Sequence, residues 1–194
     1  MKAIGDSTPA ILARLAEDEK WYVRQIVAKN THTTPEILAK LSEDGDLYVR
    51  VTVARNANTN PEILAKLAED VDWRVRYAVA ENEHTPAEIL YNLVKDEDWN
   101  VRQALVESGH TPTEILFKLT EDTNLTLRAT LAENANNVKI LAKLAEDEHW
   151  YVRQIVAQNA NTTPEILAKL AKDGDWSVRL AAAKQALMKR SETK

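Results

Sequence analysis

An arginine preceded by valine or leucine returns at Arg24, Arg50, Arg76, Arg102, Arg128, Arg153 and Arg179, in steps of 26, 26, 26, 26, 25 and 26 residues. A period of this length marks a repeat architecture, in which each unit is too small to bury its own apolar face and must stack on its neighbours. The units start at Ser7, Thr33, Thr59, Thr85, Thr111, Asn136 and Thr162. Four residues on, every unit has Ile, from Ile11 to Ile166; five and eight residues on it has Leu, as at Leu38 and Leu41. Spacings of three and four put these side chains on one face of a helix, helix A. With only 4 Gly and 6 Pro, the chain lacks the turn residues of a many-stranded β protein.

Glu36, Glu62, Glu88, Glu114 and Glu165 fall three residues after their Thr. That spacing reads as a capping box, the hydroxyl accepting from a first-turn N–H and the Glu reaching back. Proline then slides between the first and second helical positions. An Asp follows eleven residues after each start, and a short acidic turn leads to a second, shorter helix, helix B. Asp46, Asp72, Asp98 and Asp175 are placed to cap it. Val49 and Val53, or Val75, Ala78 and Val79, form its buried stripe. It is expected to end near Asn56, Asn82 or Asn159, a residue type that tolerates the left-handed backbone of helix termini. The one deleted residue falls in "NANN", residues 134–137. The expected architecture is all-α: a solenoid of seven two-helix repeats of 26 residues, forming one domain over 1–194. "LAAAKQALMKR" continues the last helix B into a basic helical tail over 186–194.

The phrase "TPEILAKLAEDVDWRVRYAVAEN" resembles the leucine-rich repeat variant family, whose units read T-P-x-x-L-x-x-L-A-x-D and then V-R-x-x-V-A-x-N. The resemblance covers residues 7 to 185 and recurs in all seven units. It implies a right-handed superhelix in which α-helices alternate with shorter helices, partly 3₁₀. The founding type carries a cysteine-bound iron–sulfur cluster ahead of its repeats; this chain has no Cys, so that feature is not carried over and no cofactor is expected. The pattern is also similar to HEAT-like repeats, where an Asp and an Arg six residues apart form an inter-repeat ladder. Asp18 and Arg24, Asp44 and Arg50, Asp70 and Arg76, Asp96 and Arg102, Asp122 and Arg128, Asp147 and Arg153, and Asp173 and Arg179 stand at that separation.

Two readings of the arginine row compete. A planar fork of donors can hold carboxylates and helix-end carbonyls within the protein; a row of guanidinium groups can also track phosphates. One carboxylate per arginine at fixed offset favours internal use, and on that reading Arg102→Ala lowers stability more than any binding. Trp21, Trp73, Trp99, Trp150 and Trp176 open helix B, with Leu47 and Leu125 in the other two units. Leu replaces Trp without stacking as an aromatic, so packing across the junction between units is preferred over base stacking. His32, His84 and His110 hold equivalent loop positions, which suggests loop hydrogen bonding rather than metal ligation. No motif for nucleophilic catalysis or phosphate cradling is present, so the chain is not expected to be an enzyme.

Fifteen, eighteen and twenty-two residues after each start, helix B presents changeable side chains opposite its valine stripe. They include Tyr22, Gln25, Tyr48, Arg55, Arg74, Tyr77, Asn100, Gln103, Tyr151 and Gln154. Aromatic and arginine side chains of this kind anchor protein interfaces. The row is polarised, with Lys29, Arg55 and Arg74 followed by Glu81, Glu107 and Glu133. The expected function is a non-catalytic scaffold binding a protein or extended peptide on a concave face formed by the B helices. A HEAT-like nucleic-acid binder is the alternative; the net charge of −5 weighs against it and against an anionic membrane surface. Near-identity of "WYVRQIVAKN" and "WYVRQIVAQN" also fits an excised or engineered array without activity of its own, and end-to-end association is open. Zero Cys fits a reducing, cytoplasmic location.

Overall fold

A computed structural model describes residues 8–192. The start assigned to Ser7 and residues 193–194 of the tail lie outside them. The A helices are α1 (Thr8–Leu15), α3 (Pro35–Leu41), α5 (Pro61–Leu67), α7 (Ala87–Leu93), α9 (Thr113–Lys118), α11 (Val138–Leu144) and α13 (Pro164–Leu170). The B helices are α2 (Trp21–Lys29), α4 (Leu47–Arg55), α6 (Trp73–Glu81), α8 (Trp99–Glu107), α10 (Leu125–Asn134), α12 (Trp150–Gln158) and α14 (Trp176–Glu192). Among the described residues there is no strand, and a single 3₁₀ turn, Leu119–Glu121, follows α9. The fold is an all-α solenoid of about seven two-helix repeats. It divides into two compact units, residues 1–110 and 111–194.

Helix B is α-helical throughout and is the longer of the pair, nine or more residues against six to eight in helix A. The expected shorter B helix is thereby corrected. Helix A stops at its last Leu because the next amides turn back three residues, as Glu43 N to Lys40 O and Asp44 N to Leu41 O, at 3.2 Å each. Helix B starts where an Asp side chain takes a first-turn amide: Asp46 from Tyr48, Asp72 from Arg74, Asp98 from Asn100 and Asp175 from Ser177. Its stripe is sealed, with Val49, Val53, Val75, Ala78 and Val79 wholly buried alongside Leu38, Leu41, Leu64 and Leu67 of helix A. Within each unit successive B helices pack side by side, while successive A helices approach one another much less.

The opening threonines do not cap helix A. Thr33, Thr59, Thr85 and Thr162 are buried and donate their hydroxyls backward, to the carbonyls of Val27, Val53, Val79 and Val156 in the last turn of the preceding helix B. The cap is the following residue: Thr34, Asn60, Pro86, Pro112, Asn137 and Thr163. The proline explains the displacement in three units, because Pro35, Pro61 and Pro164 hold the residue before them in the extended region that a cap needs. Proline thus occupies the cap in α7 and α9 and the first helical position in α3, α5 and α13, while Pro9 is the second residue of α1. The box is not kept whole one residue late: Thr163 accepts the Ile166 amide but Thr34 takes none. The carboxylates are held below the ordinary range by other bonds, Glu36 by the Thr34 hydroxyl and its own amide, Glu165 by its own amide and the Thr163 hydroxyl.

The asparagines that end helix B are not left-handed either. Asn56, Asn82 and Asn159 sit at φ −74, −73 and −66° with extended ψ. Each makes the turn with its side chain instead, Oδ1 accepting the amide two residues on, at Asn58, His84 and Asn161. Where Ser108 replaces the asparagine, the backbone does the work: Gly109, at φ 72°, is the one positive-φ glycine among the described residues.

Candidate partner-binding surface

Two ladders fasten neighbouring repeats, and they decide which side chains remain for a partner. In the first, Arg24, Arg50, Arg76, Arg128 and Arg153 reach forward to the Asp of the next repeat, and all seven arginines donate backward to a carbonyl of their own. Arg24 holds Asp44 through Nε and Nη2 at 2.5 and 2.7 Å, Arg50 holds Asp70 at 2.7 and 3.1 Å, and Arg76 holds Asp96 at 2.6 and 2.9 Å. In the second unit Arg128 holds Asp147 at 2.7 and 3.1 Å, and Arg153 holds Asp173 at 2.7 and 2.9 Å. The residue six positions back offers its main chain: Nη1 of Arg24, Arg50, Arg76 and Arg102 donates to the carbonyls of Asp18, Asp44, Asp70 and Asp96. Arg128, Arg153 and Arg179 do the same to Asp122, Asp147 and Asp173. The Asp–Arg spacing of six is therefore a side chain-to-carbonyl bond, and the ion pair joins residues 19 or 20 apart.

Each such Asp also accepts the amide two residues on, as Asp44 does from Asp46 N. Burial pushes the Asp44 carboxyl up, but the bonds from Arg24 and from that amide outweigh it and hold it below its ordinary value. Asp173 is lowered by its bond from Arg153. A carboxyl whose folded value lies below the unfolded one contributes stability that is complete above the unfolded value and is lost as pH falls through the folded one. Thermal melts taken down from neutral pH are expected to show a falling midpoint below about pH 4, the unperturbed Asp range. A midpoint flat through that range would contradict the ladder's contribution.

The second ladder was not legible as such. Asn56 donates Nδ2 to the carbonyl of Ala28, and Asn82 to that of Ala54, both at 2.6 Å and both one repeat back. Asn159 donates to the carbonyls of Ala132, Glu133 and Ala135. The signal in the sequence is the asparagine recurring two residues after the "VA" or "LA" that closes helix B, which by itself reads equally well as a helix stop.

The changeable row lies outside these fastenings. Tyr22, Tyr48 and Tyr151 are 51, 55 and 43% exposed. Arg55 and Arg74 are exposed; Gln25, Tyr77, Asn100, Gln103 and Gln154 are half-buried. Several of these are occupied internally. Arg55 pairs with Glu81 of the next repeat at 2.7 Å, and Arg74 with the cap Asp72 at 3.0 Å while lying 5.1 Å from the centre of the Trp73 ring. Gln25 donates to Thr52, Asn100 to Asp98 and Gln103 to Glu107. The polarity expected of this row is thus partly cancelled, because its cations and anions bond each other.

The tryptophans are not buried in the junctions. Their side chains leave the first residue of helix B, where the Cα–Cβ bond tilts toward the helix start and carries the ring out to the edge of the packed stripe. Trp21, Trp99 and Trp150 are about two-fifths exposed, and Trp176 is 68% exposed. Trp21 meets Tyr22 edge-on at 5.9 Å and the next repeat's Tyr48 at 5.7 Å; Trp73 meets Tyr77 at 6.2 Å, and Trp150 lies between His149 and Tyr151. Among the described residues no group of three or more His, Cys, Asp or Glu could hold a metal ion, and no helix is long and apolar enough to cross a membrane.

Stacked helix pairs tied by repeating side chain-to-backbone bonds define a helical repeat protein. One solved structure, a leucine-rich repeat variant with a novel repetitive structural motif, is 31% identical, superposes at a TM-score of 0.70 and is covered over 70% of its length by 90% of this chain. The chain belongs to the leucine-rich repeat variant family. A designed armadillo repeat protein is 17% identical at a TM-score of 0.37, covering 90% of this chain and 97% of its own. An engineered protein is 20% identical at 0.33, covering 92% and 94%. No protein-family model and no curated protein matches the chain. A thiolate-bound cluster finds no ligands here, since the chain has no cysteine.

Proposed function

We propose that the chain is a non-catalytic scaffold that binds a protein or an extended peptide along the concave row of B helices. The observation that carries this reading is a division of labour. Arginine, aspartate, asparagine and threonine turn inward to neighbouring repeats, while Trp21, Tyr22 and Tyr48 form a contiguous aromatic cluster open to solvent. Large amphipathic rings held in place by a rigid frame are the side chains that supply most interface energy. The absence of cysteine supports placing it in a reducing compartment such as the cytoplasm.

The test is capture of a partner by the intact chain and by a Tyr22→Ala, Tyr48→Ala, Tyr151→Ala variant. The variant is expected to melt within a few degrees of the parent, since surface replacements cost about 0.5 kcal/mol or less each, and to lose the partner. Retention of every partner by the variant would argue against the surface. Titration of DNA and RNA binding against salt separates the nucleic-acid alternative: binding that falls steeply with salt would reverse the order of the two readings.

A further inference from the structure

We infer that the first unit's aromatic row takes a basic, proline-rich segment in the polyproline II conformation; this rests on the peptide-binding reading and names its ligand class. Residues 1–110 hold 13 Lys and Arg against 19 Asp and Glu, a net charge of −6, so this unit accounts for all of the chain's excess negative charge. The carboxylates flank the row: each B helix of the unit follows an acidic turn, and Glu19 and Glu97 of those turns are exposed. The row itself runs Trp21, Tyr22, Tyr48, Trp73, Tyr77 and Trp99, one or two rings per repeat.

Three features fit a polyproline II strand and not a helix or a β-strand. Packed helices stand about 8–10 Å apart, and one three-residue turn of polyproline II advances about 9.3 Å, so a residue in every third position meets successive repeats in step. Proline rings are flat-sided and apolar, and they seat in the angle formed by aromatic rings set edge to face, the arrangement of Trp21 with Tyr22. A polyproline II backbone leaves its carbonyls unbonded. The indole N–H groups of Trp21, Trp73 and Trp99 and the hydroxyls of Tyr22 and Tyr48 supply donors, none of which bonds an acceptor among the described residues. An amphipathic helix, whose carbonyls are bonded along its own axis, would make no use of these donors, and a β-strand, with its side-chain period of two, does not bring one face into step with the repeats. Arginine or lysine in every third position would reach the acidic turns.

The experiment measures fluorescence anisotropy of labelled synthetic peptides on the full chain, with indole emission as a second readout. A Pro-Pro-Arg repeat is compared with a Gly-Ser-Arg repeat of equal charge and length, which does not hold polyproline II, and with a Pro-Pro-Glu repeat. The Pro-Pro-Arg peptide is expected to bind at least roughly tenfold more tightly than either, and to lose roughly tenfold in a Tyr22→Ala, Tyr48→Ala variant of unchanged melting temperature. Equal binding of the Gly-Ser-Arg peptide would reduce the effect to charge and overturn the inference, as would equal binding of Pro-Pro-Glu or no binding of Pro-Pro-Arg. The failures of the two readings are separable through a displayed library of unbiased peptides. Selected peptides that depend on Tyr22 and Tyr48 but show no proline or basic bias overturn this inference alone. Selection indifferent to those residues overturns the peptide-binding surface as well.

Discussion

Arg76→Ala is expected to lower the melting temperature by roughly 10 °C. The guanidinium is nearly buried and serves two neighbours at once, the Asp96 carboxylate through Nε and Nη2 and the Asp70 carbonyl through Nη1. Alanine leaves the Asp96 side chain, 7% exposed, as an unpaired charge in a position water reaches poorly. Breaking one side of a buried pair costs about 3–5 kcal/mol, and in a domain of this size each kcal/mol moves the midpoint by roughly 2–4 °C. Arg76→Lys is expected to recover only part of the loss, because a point charge on a flexible stem cannot hold a bidentate carboxylate and a carbonyl together. Thermal and urea melts of both variants check this; a midpoint for Arg76→Ala within a degree or two of the parent would remove the arginine row from the list of stabilising contacts.

Asn82→Ala is expected to cost about 2–4 kcal/mol, since it strips partners from the buried Ala54 carbonyl and the His84 amide, each worth about 1–3 kcal/mol when left unpaired, while the Asn56 carbonyl keeps the Thr59 amide. Asn82→Asp separates donor from shape. At neutral pH a carboxylate faces carbonyl oxygens that need a donor, so this variant is expected to be at least as unstable. The misplaced charge raises the folded pKa of the new carboxyl above its unfolded value. Protonation then restores a donor, and stability relative to Asn82→Ala returns as pH falls. A ratio of the two stabilities that does not move between neutral and mildly acidic pH would show that the amide's hydrogen bond is not what the position requires.

The repeat itself was fully legible, because period and helical spacing are carried by the apolar residues that must be buried in every unit: Ile37, Leu38 and Leu41 recur with no exception that matters to the core. Roles of small polar residues were less so. Thr33 stands where a cap belongs by spacing, and only the extended backbone imposed on Thr34 by Pro35 shows that its hydroxyl must look backward. Asn56 and Asn82 read as stops because a single sequence shows the element they end and not the helix one repeat away that they touch. Exposure of the tryptophans escaped for a related reason. Trp is ordinarily well buried, and its place at the first residue of helix B, which sends the ring to the rim, matters more than its hydrophobicity. Where the changeable row was concerned, the residues were identifiable but their mutual bonds were not, since Arg55 and Glu81 are 26 residues apart in sequence and adjacent only after stacking.

The asparagine, the threonine and one arm of each arginine all grip main-chain oxygens. A carbonyl is the same on every residue type, so apart from the one aspartate that an arginine holds, a repeat recognises its neighbour without reading that neighbour's side chains. Modules of this kind can be copied, deleted or shuffled with their outward positions rewritten, and a longer or differently ordered series assembles by the same grammar. New specificity then arises by recombination of whole repeats, without renegotiating the joints between them.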